Sequence, residues 1–210
     1  MKIYYFDLYA RAEPTRMMLY KAGVQFEDNR MAGDAWKEFK ESGVLEYGQM
    51  PMLELDDGTR LVQTAAIQDF VASTYGFFPE SAMDRYKTAH LMSLFNEDFV
   101  ARKWYKVFQA PDDQKAEMAE QFMKNDVPWF MNHLERKLEG HKFILGDKLT
   151  LIDFVIGGYL VNAVHNPNNK MADGFKQIWE GVGEKTKAYC ANFQEEMKEY
   201  LESRPQNCTM

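Results

Sequence analysis

The sequence predicts a small α/β domain followed by an all-helical one. Three observations carry that prediction. Up to about residue 76, short apolar or alternating runs take turns with helix-periodic segments, and from about residue 82 helical periodicity runs on to the end. Between them, Gly76-Phe77-Phe78-Pro79-Glu80-Ser81 carries two backbone breakers and reads as a linker. Within the first part, Asp56-Asp57-Gly58-Thr59 between two apolar runs is a hairpin signal, so parallel pairing gives way there to antiparallel pairing. The expected division is residues 1–76, a linker at 77–82, and residues 83–210.

The elements follow in order. Lys2 to Asp7, rich in Ile, Tyr and Phe, reads as a strand. Glu13 to Ala22 reads as a helix, with Pro14 in the first turn where a missing N–H costs nothing, and Gly23 as the stop. Val24 to Arg30 fits a second strand, and Asp34 can cap a short helix through Ser42. Met52–Leu55 and Arg60–Gln63 flank the hairpin turn, and Thr64 opens a helix to about Tyr75, which completes β-α-β-α-β-β-α. In the second part, Leu91, Phe95 and Phe99 are spaced four apart, and Val100, Trp104 and Val107 continue an apolar face to about Ala110. Phe122, Val127, Phe130, Leu134 and Leu138 mark a helix that Pro128 is expected to kink and Gly140 to end. Thr150-Leu151-Ile152-Asp153 is a capping-box pattern with Asp in place of the commoner Glu. Gly157-Gly158 would be costly in an exposed helix, so another backbone is expected to approach there. Helices near Ala172–Glu180 and Glu184–Ser203 finish the chain.

Composition removes several functions. The 210 residues carry 32 acidic and 25 basic side chains, a net charge of −7, which argues against a partner as anionic as nucleic acid. Apolar residues make up 46 %, enough for a sizeable core. No run reaches the roughly 18 apolar residues of a membrane helix. No signal segment is legible, so a reducing, cytosolic setting is expected. Cys190 and Cys208 are too few for a disulfide or zinc scaffold, and His90, His133, His141 and His165 lack helix-spaced partners, so no metal site is expected. Phosphate-loop, G-x-G-x-x-G and G-x-S-x-G patterns are missing.

What remains is a constellation in the first 75 residues. Tyr5 closes the first strand in Tyr5-Phe6-Asp7-Leu8-Tyr9-Ala10-Arg11-Ala12-Glu13-Pro14-Thr15-Arg16; Gln49-Met50-Pro51-Met52 leads into the third; Gln63-Thr64-Ala65-Ala66-Ile67 passes from strand to helix. Each alone has an ordinary reading, as a core aromatic, a turn proline or an N-cap. In this order and spacing they resemble the cytosolic glutathione transferases of the tyrosine type, nearest the sigma group. Leu149-Thr150-Leu151-Ile152-Asp153 likewise resembles a folding motif of that family. Two positions depart from its pattern: Tyr9-Ala10-Arg11 stands where Arg-Gly-Arg is usual, and Gln49 where a lysine is common.

The resemblance implies a thioredoxin-like N-terminal domain, an all-helical C-terminal domain, and glutathione as co-substrate with no metal. A free thiol with pKa near 8.5 is only about 3 % ionised at pH 7, and a shift of two units would raise this to roughly three quarters, about 2.7 kcal/mol of differential stabilisation. By resemblance Tyr5 donates to the sulfur and Arg11 is the nearby cation; Tyr4 is the rival, sent by strand alternation to the opposite face. The main chain at Met50-Pro51 would pair with the cysteinyl portion, provided that the bond is cis. Gln63 and Thr64 would hold the γ-glutamyl end, and Gln49, Trp36 and Lys40 complete the set, the last two also readable as a core residue and a solvated lysine. Phe6, Leu8, Val100 and Trp104 are the candidates for a hydrophobic acceptor pocket, or plain core. In a homodimer Asp98, with Glu97 its close rival, would face the neighbour's glutathione amine. The implied activity is conjugation of hydrophobic electrophiles and reduction of hydroperoxides. The alternatives are a glutathione-dependent prostaglandin-type isomerase and a non-catalytic, crystallin-like ligand-binding or structural relative.

Overall fold

Pleating decides which residues of the first strand are sunk. In a computed structural model, which describes residues 1–208, β1 (Lys2–Phe6) buries Ile3 and Tyr5 on one face and leaves Tyr4 and Phe6 half-buried on the other. A single 3₁₀ turn (Ala10–Ala12) leads into α1 (Glu13–Lys21), whose first turn holds Pro14 and whose stop is Gly23 at φ +70°. β2 (Glu27–Met31) returns parallel to β1, in register from Lys2↔Glu27 to Phe6↔Met31. The next helix, α2 (Gly33–Glu41), has Ala32 rather than Asp34 at its N-cap; Asp34 sits inside the first turn, where its charge still suits the helix dipole. β3 (Met52–Glu54) runs antiparallel to β1 and β4 (Arg60–Val62) antiparallel to β3, giving the order β2-β1-β3-β4. The hairpin forms where expected, with Gly58 at φ +85° and Thr59 N–H donating to Asp57 Oδ1 at 2.9 Å. From Gln63 the chain enters α3 (Thr64–Thr74) directly.

Among the described residues, one compact unit comprises Met1–Phe78 together with Met197 to Cys208, which includes α11 (Lys198–Ser203). The single helix expected over Glu184–Ser203 is therefore two, broken at Met197, where φ −105° and ψ 10° leave the helical region.

The second unit, Pro79–Glu196, is helical. Ser81 caps α4 (Ala82–Ser93) by accepting from Asp84 N–H at 3.0 Å, and the helix continues through π-type turns (Leu94–Trp104) into α5 (Tyr105–Gln109). α6 (Asp112–Gln121) likewise passes through π-type turns (Phe122–Asp126) into α7 (Val127–Lys137). The irregularity expected at Pro128 thus lies just upstream, and the proline sits in the first turn of α7. α7 ends at Lys137, before Gly140. Next come α8 (Leu151–Leu160) with π-type turns to His165, α9 (Ala172–Glu180) and α10 (Glu184–Glu196). The core is aromatic: Phe99 stacks on Phe130 at 4.6 Å, Phe95 meets Tyr159 edge-on at 5.1 Å, and Phe122 is 5.4 Å from Phe99.

α8 starts on the expected capping box. Asp153, fully buried, accepts from Thr150 N–H and Thr150 Oγ1, both at 2.8 Å, and from Ile144 N–H at 3.0 Å. The close approach at Gly157 is a side chain and not the expected backbone. A Cβ there would stand 2.6 Å from ring carbons of Phe193. Among the described residues no helix is long and apolar enough to cross a membrane.

Candidate functional site

The end of β1 sets the first part of the site. Because the strand alternates, Tyr5 points away from α2, while Tyr4 stacks on Phe39 of α2 at 5.1 Å and Phe6 packs edge-on against Trp36 at 5.1 Å. Tyr5 is 5 % exposed, and its hydroxyl accepts from the backbone N–H of Arg11 at a long 3.4 Å. The guanidinium of Arg16 lies 5.8 Å from the Tyr5 ring centre. On the opposite face, burial first and then the Glu54 carboxylate raise the pKa of Tyr4.

Beside this loop a small, partly open cleft is lined by Arg11, Tyr47, Gln49, Met50, Pro51, Val62, Gln63 and Thr64. Six of these eight were singled out in the sequence, from three separate segments. Tyr47 and Val62 were not. Val62 is the strand residue before Gln63, and Tyr47, 59 % exposed next to Gly48 at φ +63°, is a large aromatic that no core claims. The Met50–Pro51 bond is cis. Gln63 holds φ +73°, ψ 115°, a conformation that costs a non-glycine residue about 1–3 kcal/mol and so points toward function at that residue. Thr64 follows as the first residue of α3, so the positive end of an eleven-residue helix opens at the cleft. A cation, a helix N-terminus and two side-chain amides suit an anionic, amide-bearing ligand.

Trp36 is half-buried, and Lys40, exposed one turn along α2, has its ammonium 5.9 Å from the Trp36 ring centre. The Lys40 stem also passes Gly48, where a Cβ would lie 3.9 Å from Cε, so the lysine flanks the segment carrying Tyr47 and Gln49. Leu8 is half-buried in the loop, its carbonyl accepting from Arg16 Nη1 at 2.9 Å.

The remaining candidates belong to the helical unit. Asp98 pairs with Arg102 one turn on at 2.5 Å, and Glu97 accepts from Ser93 Oγ at 3.0 Å. Val100 is half-buried. Trp104 packs edge-on against Phe122 at 5.0 Å and near Phe108 at 5.5 Å, so much of its ring area serves the helical core. Cys190 is buried and its thiol is pushed up to about 12 by that burial, which leaves it inert as a nucleophile. Among the described residues no group of three or more His, Cys, Asp or Glu is arranged to hold a metal ion.

Comparison with known proteins gives this geometry a setting. Residues 1–73 match the family model of the glutathione S-transferase N-terminal domain and residues 97–204 that of the glutathione S-transferase C-terminal domain. The chain is similar to S-crystallin SL11 of Nototodarus sloanii, 28 % identical over 179 residues that cover 81 % of this chain and 83 % of the relative. It is also similar to glutathione S-transferase 1 of Ascaris suum, 31 % identical over 164 residues, 74 % of this chain and 76 % of the relative. Among solved structures, prostaglandin synthase D of Nilaparvata lugens aligns with a TM-score of 0.78 at 25 % identity, over 97 % of this chain and 98 % of the other. With a cleft assembled from the N-terminal segments and both family models matched along its length, the chain belongs to the glutathione S-transferase family.

Proposed function

We propose that the cleft binds glutathione and that Tyr5 holds its sulfur as the thiolate for attack on hydrophobic electrophiles. The observation that carries this reading is the convergence of Arg11, Gln49, Met50, Pro51, Gln63 and Thr64 on one cleft beside the Tyr5 loop. In this reading the N-terminus of α3, with Thr64 and Gln63, receives the γ-glutamyl carboxylate, and the main chain of Met50 pairs with the cysteinyl residue. Lys40 and the Trp36 indole N–H receive the glycyl carboxylate. Arg11 adds positive charge near the sulfur, and the Tyr5 O–H donates to it. The thiolate then forms a carbon–sulfur bond as the electrophile's leaving group departs with the electron pair. With a hydroperoxide the same sulfur takes the terminal oxygen, and a second glutathione completes the disulfide, releasing alcohol and water.

Phe6, Leu8, Val100 and Trp104 are proposed to contact the acceptor, and the Tyr5-to-Arg16 pattern supports a place near the sigma group, in a cytosolic detoxifying role. A homodimer, with Asp98 of one copy serving the other's glutathione, belongs to the same proposal; sedimentation at the mass of one 24.6 kDa chain would remove it.

The test is conjugation of glutathione to a chromogenic aryl chloride by wild type and Tyr5→Phe across a pH series. Turnover by wild type, with the variant slower by about 10²-fold and its rise displaced to higher pH, is the expected result. Equal turnover would remove Tyr5 from its role. Glutathione binding without turnover would favour the isomerase or the crystallin-like reading, which an endoperoxide substrate separates.

A further inference from the structure

The sequence leaves a puzzle at Tyr9-Ala10. Ala10 adopts φ +33°, a left-handed conformation that favours glycine, in the loop that carries Arg11 to the Tyr5 hydroxyl. Something must hold it there. The residue before it, Tyr9, is 1 % exposed; Arg30 lies 6.0 Å from its ring centre, and closer contacts come from the far end of the chain. The Arg204 guanidinium carbon lies over the Tyr9 ring, 3.8 Å from its centre, and the Tyr9 hydroxyl donates to the Pro205 carbonyl at 2.5 Å.

Arg204 also reaches the start of α1, donating to Glu13 Oε1 at 2.5 Å beside the Tyr200 hydroxyl at 2.9 Å. Glu13 Oε2 in turn accepts from Arg16 Nη1 at 3.2 Å, and that same nitrogen donates to the carbonyls of Leu8 and Tyr9. Glu13 and Arg16 are both 1 % exposed, so these charges are held by one another and not by water. The loop between Tyr5 and Glu13 is thus gripped from both sides by a network whose outer member, Arg204, is 191 residues away in sequence from Glu13.

We propose that Arg204 is a positioning residue for the Tyr5–Arg11 loop: stacked on Tyr9 and paired with Glu13, it fixes the Ala10 turn and hence where Arg11 meets the Tyr5 hydroxyl. This rests on the thiolate-stabilising reading of Tyr5. It gives the replacement of the family's Arg-Gly by Tyr9-Ala10 a physical counterpart, since an aromatic ring is what a planar guanidinium can clamp.

The experiment is native-state amide exchange on the full chain, paired with pH profiles of glutathione conjugation to an aryl chloride, for wild type, Arg204→Met, Arg204→Lys and Tyr9→Phe. Arg204→Met is expected to speed exchange across residues 9–13 by about tenfold or more while α8 amides keep their protection. Its kcat/KM should fall about tenfold with the rise moved to higher pH, and Arg204→Lys, which keeps the charge but not the stack, should lie between. If Arg204→Met does not fold, Tyr9→Phe deletes only the bond to Pro205 and should show the same loop-confined change on a smaller scale. Unchanged loop exchange and an unmoved profile, in a wild type that turns over, would overturn the positioning role alone. Faster exchange everywhere, α8 included, would reduce Arg204 to a structural residue. A wild type that does not bind glutathione would overturn the reading of Tyr5 and the positioning role with it.

Discussion

Gln63 carries a backbone cost that the proposed role in glutathione binding would explain. Its φ of +73° is unfavourable for any side chain with a Cβ, and its side chain is exposed. Gln63→Gly should therefore be neutral to stabilising by about 1 kcal/mol in urea unfolding, the relief of strain offset in part by glycine's larger unfolded-state entropy. The same variant should raise KM for glutathione about tenfold, because a side-chain amide at the mouth of α3 is gone. A variant that loses stability and keeps its KM would remove Gln63 from the site. Residue identity alone makes Gln63, Thr64 and Met50-Pro51 candidates, and all four line one cleft; the backbone angle of Gln63 is not legible, since no local signal specifies a strained conformation. Tyr47 escaped for a different reason: exposed aromatics are common on surfaces, and only the cleft shows this one to be placed.

At the scale of elements, α8 rests on the Asp153 cap. Burial raises the Asp153 carboxyl to about 6, against which the N–H groups of Ile144 and Thr150 and the Thr150 hydroxyl pull it down. The folded value lies above an unfolded carboxyl near 3.9, so the folded state binds the extra proton between roughly pH 4 and pH 6. This group therefore favours folding most below about pH 4, and its contribution declines by up to ~3 kcal/mol as pH rises to 6, staying level above. Measured by denaturant unfolding, the advantage of wild type over Asp153→Asn should narrow over that interval; a constant difference would show that the carboxyl titrates normally. The capping pattern was readable from Thr150 and Asp153 alone, because capping is local. The break at Met197 was not: helical periodicity runs through it, and what turns the chain is the attachment of Tyr200 and Arg204 to Glu13, far away in sequence. Likewise Gly157-Gly158 announced a close approach, but glycine says only that room is needed; that Phe193 fills it is a tertiary fact.

For the whole molecule, the change of periodicity near residue 80 is legible because strand and helix patterns differ in the chain itself, whereas the membership of α11 in the sheet-bearing unit is not. The family resemblance covered both parts, and both family models match. Acceptor chemistry was the least legible part, since Val100 and Trp104 look the same in a sequence whether they line a pocket or a core. Ligand binding should be visible at this scale through mass action. Glutathione at about 100 times its Kd stabilises the folded state by about 2.7 kcal/mol, worth several degrees of Tm for a chain of this length. The shift should be reduced in Gln63→Gly; no shift at any glutathione concentration would leave the cleft without its ligand.

The most direct test of the central claim reads the sulfur itself. Ultraviolet difference spectra of glutathione bound to wild type, titrated with pH, should show thiolate absorbance with a midpoint about two units below that of free glutathione, and Tyr5→Phe should return the midpoint most of the way toward the free value. A bound thiol that titrates as it does in solution, or one whose midpoint ignores Tyr5→Phe, would contradict the account.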